Sequence, residues 1–400
     1  MKTRFIALIL VLILAVGCFS GCGNQASSTL STPSSADNSS PADPEAPSDE
    51  TTEPEEPSEP LSYVTFDYEA GYKLYDPEAV VMTVNGSDVT WSEYYSWLFT
   101  QVSQYEMYIG AEFNWDDLYS DEYTLGENVK AYAEGMSSRY IVIRELADAL
   151  ELTLNEEDKE LLDTQLTNDA ANYAGGDVDA FFEFLASTYV TEDYYRFINE
   201  SVILAEKHYI ELYGENGEKM SEDEINKFID ENGFLSAKHI LFLTTDESGQ
   251  PVDDAAKAEK LAQAEDTLAQ LKALSGDALM AKFDELMNAL SEDTGLAYYP
   301  DGYVFMPGEM VPEFENGTKE LENYAVSDII ETSCGYHIIM RLPITPDSEY
   351  QEGMNFRYLA SNEIWYNDMM SEFNNAEIVY TEEFAELDLA DVFKTIELEY

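Results

Sequence analysis

Two short runs, SAKHILFL at residues 236–243 and GYHIIMRL at residues 335–342, limit most strongly what this chain can become. Each is of strand length and apolar on both faces rather than alternating, which places it at the centre of a sheet covered on both sides. A turn-forming glycine, Gly335, opens the second run. Each run carries a histidine, His239 or His337, although the chain has only three histidines in 400 residues. Between them lie two amphipathic helical patterns, DDAAKAEKLAQAEDTLAQLKAL and DALMAKFDELMNAL. GYVFM follows as a strand, MVPEFENGTKEL as a short helix and SDIIET as a further strand. The order β-α-α-β-α-β-β predicts a compact α+β unit over residues 233–344.

The chain ahead of this unit reads differently. AVVMTVNGSDVT sets two strand-like runs around Asn85-Gly86, the signal of a tight hairpin. Thr90 then heads TWSE, a capping box in which Glu93 can reach back to the Thr90 amide. Helical patterns follow to residue 232. In TEDYYRFINESVILAEKHYIEL, the residues Tyr194, Ile198, Val202, Ala205, Tyr209 and Leu212 recur at three- and four-residue steps as one apolar stripe. His208 falls beside that stripe and reads as a surface or flanking residue. SEDE, Ser221 to Glu224, is a second capping box, and Gly233 is placed to end its helix. Residues 61–232 are therefore expected to form a mainly helical domain. Residues 345–400, acidic and aromatic, are expected to be a C-terminal helical segment docking on it.

The first 22 residues carry Lys2 and Arg4 ahead of FIALILVLILAV, an apolar run of signal-peptide length. It leads into GCFSGCGN, where small residues before a cysteine resemble a bacterial lipobox. Cys22 is the expected lipidation site, with Cys18 as the alternative; an ordinary cleaved signal peptide is the other reading. Residues 23–60 are rich in Ser, Pro, Thr and Glu and poor in large apolar side chains, which predicts a disordered, self-repelling acidic tether. The balance of 20 basic to 81 acidic residues gives a net charge of −61, a field that repels nucleic acid and argues against nucleic-acid binding. Two of the three cysteines lie in the leader, so Cys334 has no partner for an intrachain disulfide once the leader is processed. Export without disulfides suggests the extracytoplasmic face of a Gram-positive type of envelope.

AKHILF, MVPEF and TSCGYHIIMR, in that order and spacing, resemble the signature of parvulin-type peptidyl-prolyl cis-trans isomerases. The wider layout, from the lipobox through VMTVNG and VTWSEY to MSEDEINKFIDENG, resembles the PrsA and SurA group of extracytoplasmic foldases. The resemblance implies a SurA-N-like helical chaperone domain joined to a parvulin domain, a four-stranded antiparallel sheet with surrounding helices. It implies a membrane-anchored foldase that isomerises X–Pro bonds in exported polypeptides and binds unfolded clients. By the same resemblance His239 and His337 are the paired histidines of the site, with Thr332 and Cys334 next to them. Asp293, in LSEDTG, falls where the family carries Asp or Cys, and Met310, Phe314 and Phe305 fall around the proline-ring pocket.

The chemistry asked of such a site is modest. Rotation about X–Pro meets a barrier of about 18–20 kcal/mol because amide resonance is lost in the twisted state. No bond is made or broken, so the reaction needs no nucleophile, metal or cofactor, and Cys334 is not required as a nucleophile. A three-histidine zinc site is disfavoured as well, since no two histidines stand at i, i+4 and no HExxH occurs. Two stretches depart from the family pattern: the segment before Asp293 is lengthened, and PDGYVF stands in place of GDLG and puts Gly302 where a pocket leucine is expected. The latter departure favours a second reading, a non-catalytic holdase. A third, a solute-binding lipoprotein, would require alternating β-α units, which the long helical run opposes. Nothing in the sequence sets an oligomeric state.

Overall fold

The computed structural model describes residues 62–351 and 353–399. The expected leader with Cys18 and Cys22, and the tether to residue 60, lie outside the described residues. The described chain divides into two compact units, one of residues 62–208 with 372–399 and one of residues 209–371. Strands are numbered β1 to β11 along the chain. No described helix is long and apolar enough to cross a membrane.

In the first unit β2 (Val80–Val84) and β3 (Ser87–Thr90) form the hairpin. Asn85 and Gly86 turn it with φ of 52° and 89°, the positive pair a two-residue turn of this hand requires. Thr90 ends β3 and caps the helix Trp91–Ile109: its amide donates to Glu93 at 2.8 Å and its hydroxyl accepts from the Glu93 amide at 3.4 Å. That helix buries Trp91, Tyr94, Tyr95 and Leu98 against Val81, Met82, Phe384, Val392 and Phe393.

The C-terminal residues differ from the expected helical segment. After the helix Phe356–Asn375 come two strands, β10 (Ile378–Tyr380), paired antiparallel with β2, and β11 (Thr395–Glu399), paired with β1 (Ser62–Phe66). The expected boundaries shift as well. Ile225, Phe228 and Ile229 of the helix Glu222–Asn232 share a core with Phe234, Phe356 and Ala360, so all of these belong to the 209–371 unit. His208 flanks the stripe but is not at the surface: only 9 % exposed, it lies with Ser201 and Leu204 beside the apolar stripe of the helix Glu192–Tyr213, in one wider buried arc, and burial lowers its pKa.

The second unit is built on an antiparallel sheet in the order β5-β4-β7-β6. Its strands are β4 (Leu235–Leu243), β5 (Tyr303–Phe305), β6 (Ile330–Glu331) and β7 (Gly335–Leu342). The two expected central strands are neighbours, in register from Ser236↔Leu342 to Leu243↔Gly335. Strand alternation sorts their side chains onto two faces. On one, Ile240, Phe242, Ile338 and Met340 pack on the helices Asp254–Lys272 and Gly276–Leu290 through Ala264, Leu271, Phe283 and Leu286. On the other, Leu235, Ala237 and Ile339 pack against Phe305 and Phe314, the latter on the helix Pro312–Lys319. Each buried Leu, Ile, Phe or Met side chain among them contributes about 1.5–3 kcal/mol, which is why both faces of these strands are apolar. Lys238 is the charged exception on the helix-covered face. Its stem is buried, its ammonium pairs with Asp284, and it lies 5.6 Å from the Phe283 ring centroid.

Candidate active site

His239 and His337 are set by register. His239 faces Ile339 across the pairing and His337 faces Leu241, so the two are diagonal neighbours on the same face. Their rings stack with centroids 5.1 Å apart and 11° between planes, and the two Nδ1 atoms are 3.0 Å apart. Both residues are buried, at 8 % and 5 % exposure.

A hydrogen-bonded chain extends from the pair in both directions. His239 Nε2 is 3.0 Å from Asp293 Oδ2, and His337 Nε2 is 2.9 Å from Thr332 Oγ1. Asp293 also accepts from the Tyr303 hydroxyl at 2.6 Å and, through Oδ1, from the Gly295 amide at 2.9 Å. The Cys334 amide donates to Thr332 Oγ1 at 3.1 Å. In the neutral pair the proton positions follow from chemistry. The Asp293 carboxylate can only accept, so His239 Nε2 carries its proton and His239 Nδ1 accepts from His337. His337 Nε2 then accepts from the Thr332 hydroxyl. Every bond points toward Asp293.

Burial, helped by the neighbouring His239 ring, pushes His337 down to about 3, so it stays uncharged. The hydrogen bond from His239, joined by those from Tyr303 and Gly295, holds the Asp293 carboxyl well below the usual carboxylate range against the opposing effect of burial. Tyr303 is raised by burial and by its bond to Asp293.

The apolar half of the site shares this face. Met310 packs in one cluster with Phe305, Phe314, Ala237 and Ile339. The Phe314 ring stands edge-on to both imidazoles, at 5.1 Å and 5.5 Å, and lies 5.9 Å from Phe305. The structure thus brings together His239, His337, Thr332 and Asp293 as a polar network, and Phe305, Phe314 and Met310 as an apolar wall beside it. Cys334 stands apart: its side chain is exposed, and the network uses its backbone amide. Among the described residues, no three His, Cys, Asp or Glu side chains are placed to hold a metal. A separate cleft of about 290 Å³ in the first unit is lined by Glu93, Arg144, Tyr194 and Phe197, and none of the network residues lines it.

Two contributors escape a reading of the sequence alone. Tyr303 is two residues before Phe305 on β5, so the strand period puts both on one face; that signal was available. Gly295 gave no signal: a Cβ there would lie 2.1 Å from the Tyr303 hydroxyl, so only glycine lets the tyrosine reach Asp293. Gly302, at φ 105°, is held against the Ala237 carbonyl, 2.8 Å from where its Cβ would be. A side chain there needs the backbone to move. Tyr303→Phe is expected to raise the Asp293 pKa by removing one of the bonds that stabilise its charged form, and to cost about 1.5–3 kcal/mol of stability. Carboxyl-resonance NMR titration of the two proteins checks the shift; an unchanged Asp293 titration would show that the phenol does not hold the carboxylate.

Residues 239–342 match the family model of the rotamase, PPIC-type peptidyl-prolyl isomerase domain. No curated protein matches the chain. Among solved structures, peptidylprolyl isomerase PrsA from Bacillus cereus is 19 % identical, with 68 % of this chain and 93 % of that one covered and a TM-score of 0.30. A SurA-like chaperone structure from Campylobacter jejuni is 19 % identical over 74 % of this chain and 94 % of that one, with a TM-score of 0.23. The parvulin NmPin of Nitrosopumilus maritimus is 27 % identical over 28 % of this chain and 96 % of that one, with a TM-score of 0.19.

Proposed function

We propose, for a chain that carries a parvulin-type domain at residues 239–342, that this domain accelerates cis–trans isomerisation of X–Pro bonds in exported polypeptides. The observation that carries this reading is the His239–His337 pair facing the Phe314 ring on one buried face. In the transition state the amide loses resonance and much of its charge separation, so an apolar wall favours it over the planar amide. Met310, Phe305 and Phe314 supply that wall for the proline ring. The Thr332–His337–His239–Asp293 chain is a fixed array of dipoles that keeps the wall in shape without reorganising during rotation. Asp293 and the two histidines act as positioning residues. The leader supports a protein that works outside the cytoplasm, tethered to the membrane by a lipid on Cys22 or Cys18, and the resemblance to the extracytoplasmic foldases supports a helical domain, residues 61–232, that holds unfolded clients.

The test is isomerisation of short X–Pro peptides by the chain from residue 23, followed by exchange NMR. His337→Ala is expected to lower kcat/KM about 100-fold with the fold retained by circular dichroism. Met310→Ala is expected to lower it about tenfold through lost ring contact. No acceleration by well-folded protein would overturn the enzymatic reading. One observation favours the alternative, a holdase that binds without catalysing: the backbone at Gly302 leaves no room for the side chain the family pattern puts in the pocket.

A further inference from the structure

We infer that the end of the helix Trp91–Ile109 and the loop after it form a docking surface for extended polypeptide segments that mix basic and apolar side chains. The inference rests on the client-binding half of the proposal above and is independent of the isomerase half.

The surface is built and then left uncovered. Phe113 and Trp115 anchor the loop from beneath, their rings 4.8 Å apart and 5.5 Å and 5.9 Å from Phe66 in the core. The Gly126 amide donates to the Trp115 carbonyl at 2.9 Å, and Leu118 and Thr124 form a β-bridge that closes the loop. Tyr105 of the helix contacts Tyr119 of the loop at 6.1 Å, joining the two pieces. Outward, this fixed frame presents Met107, Tyr108, Ile109, Leu118, Tyr119 and Tyr123, exposed by 43–80 %. Six large apolar groups left in water at one helix end and the loop joined to it are more than the singly scattered exposed apolar residues that are ordinary, and such clustering marks an interaction site.

Charge selects the partner. From Leu74 to Val129 the sequence has no lysine, arginine or histidine. Glu112, Asp116, Asp117, Asp121 and Glu122 are all exposed within the same loop. The field over the patch is therefore negative at close range. It disfavours a second copy of the chain, which itself carries −61, an anionic lipid surface, and this chain's own acidic residues 23–60. A segment with lysine or arginine among apolar residues fits both halves: apolar side chains cover Met107, Ile109 and Leu118, while ammonium and guanidinium groups meet the carboxylates and the faces of Tyr108, Tyr119 and Tyr123.

The experiment uses fluorescence anisotropy with the chain from residue 23 and three labelled peptides of equal apolar content, carrying Lys, Ser or Glu at the intervening positions. The Lys peptide is expected to bind about tenfold tighter than the Ser peptide, and the Glu peptide weakest. Raising salt from about 0.05 M to about 0.5 M is expected to weaken the Lys peptide alone. Tyr108→Ser with Leu118→Ser, both at exposed positions, is expected to lower its affinity at least about tenfold and leave X–Pro isomerisation unchanged. Glu112→Gln with Asp121→Asn and Glu122→Gln is expected to narrow the gap between the Lys and Ser peptides. Equal affinity for the three peptides, or undiminished binding by the serine variant, overturns the inference while client binding stands. Binding to zwitterionic vesicles, or self-association, that the serine variant abolishes while peptide binding survives also overturns it. If the chain binds none of the peptides, client binding itself fails.

Discussion

Gly335→Ala is expected to destabilise the 209–371 unit by about 3 kcal/mol or more, enough to unfold a marginal domain. A Cβ at this position would lie 2.1 Å from the Phe242 carbonyl oxygen and 3.0 Å from Leu243 Cα. Both atoms belong to the backbone of the neighbouring central strand, so no side chain can swing away to make room. The backbone at Gly335, at φ 155°, disfavours a side chain as well. The effect would not stop at the strand end. The Gly335 carbonyl accepts from the Thr332 amide at 2.9 Å, and Thr332 in turn reaches His337. Moving the glycine shifts the last hydroxyl of the histidine chain. Gly308→Ala is the comparison: its Cβ would meet nothing within 4 Å, leaving only the strain of a positive φ, about 1–2 kcal/mol. Urea unfolding of the three proteins, followed by fluorescence, checks the order. Equal midpoints for the two variants would show that the close approach at Gly335 can relax.

That glycine illustrates what the sequence discloses and what it does not. A glycine opening an apolar run is visible as a turn signal, but its closeness to Phe242 depends on which strand lies alongside. Local chemistry was legible: the Asn85-Gly86 hairpin and the capping boxes at Thr90 and Ser221 appear where their residues predict, because each involves groups within four positions. The two central strands were legible from their unbroken apolar character, and the α+β order of elements follows from period and length. Partners distant in sequence were not. β11 pairs with β1 from the opposite end of the described chain, and three-residue β10 adds to β2; strands that short carry little pattern of their own. His208 does not show its burial in the sequence because the buried arc of its helix extends past the apolar positions to take in the polar Ser201 and His208. At the candidate site, the placement of His239, His337, Asp293 and Thr332 came from family resemblance. The Tyr303 bond to Asp293 required coordinates, since nothing local says that residue 303 meets residue 293.

The same network predicts an unusual acid lability. His337 has a folded pKa of about 3 against an ordinary value of 6.5. Between those limits the unfolded chain takes up a proton that the folded chain refuses, so stability is fully present above pH about 6.5 and declines as pH falls toward 3. The slope for one such proton is about 1.4 kcal/mol per pH unit. Asp293 adds a loss of the same sign lower down: its folded pKa lies below 3.8, so its contribution is present above that value and lost as pH falls through the folded one. The other carboxylates work against this. With net charge −61, acidification toward pH about 4 relieves self-repulsion, but that relief comes where carboxylates titrate, in the lower half of the histidine window, so the upper half reports on the histidines. His208 is also lowered by burial and adds a loss of the same sign, so wild-type unfolding alone would mix two histidines. Urea unfolding at pH 7 and pH 5 should therefore be run on His208→Gln and on His208→Gln with His337→Leu. The first is expected to lose stability between the two pH values; the second is expected to lose less, having no buried imidazole at position 337 left to protonate on unfolding. Imidazole NMR should show His337 still neutral at pH 5 in the folded protein. A charged His337 at pH 5, or equal pH dependence in the two variants, would mean that the pair accommodates a proton by reversing its hydrogen bonds, and the one-way chain toward Asp293 would have to be abandoned.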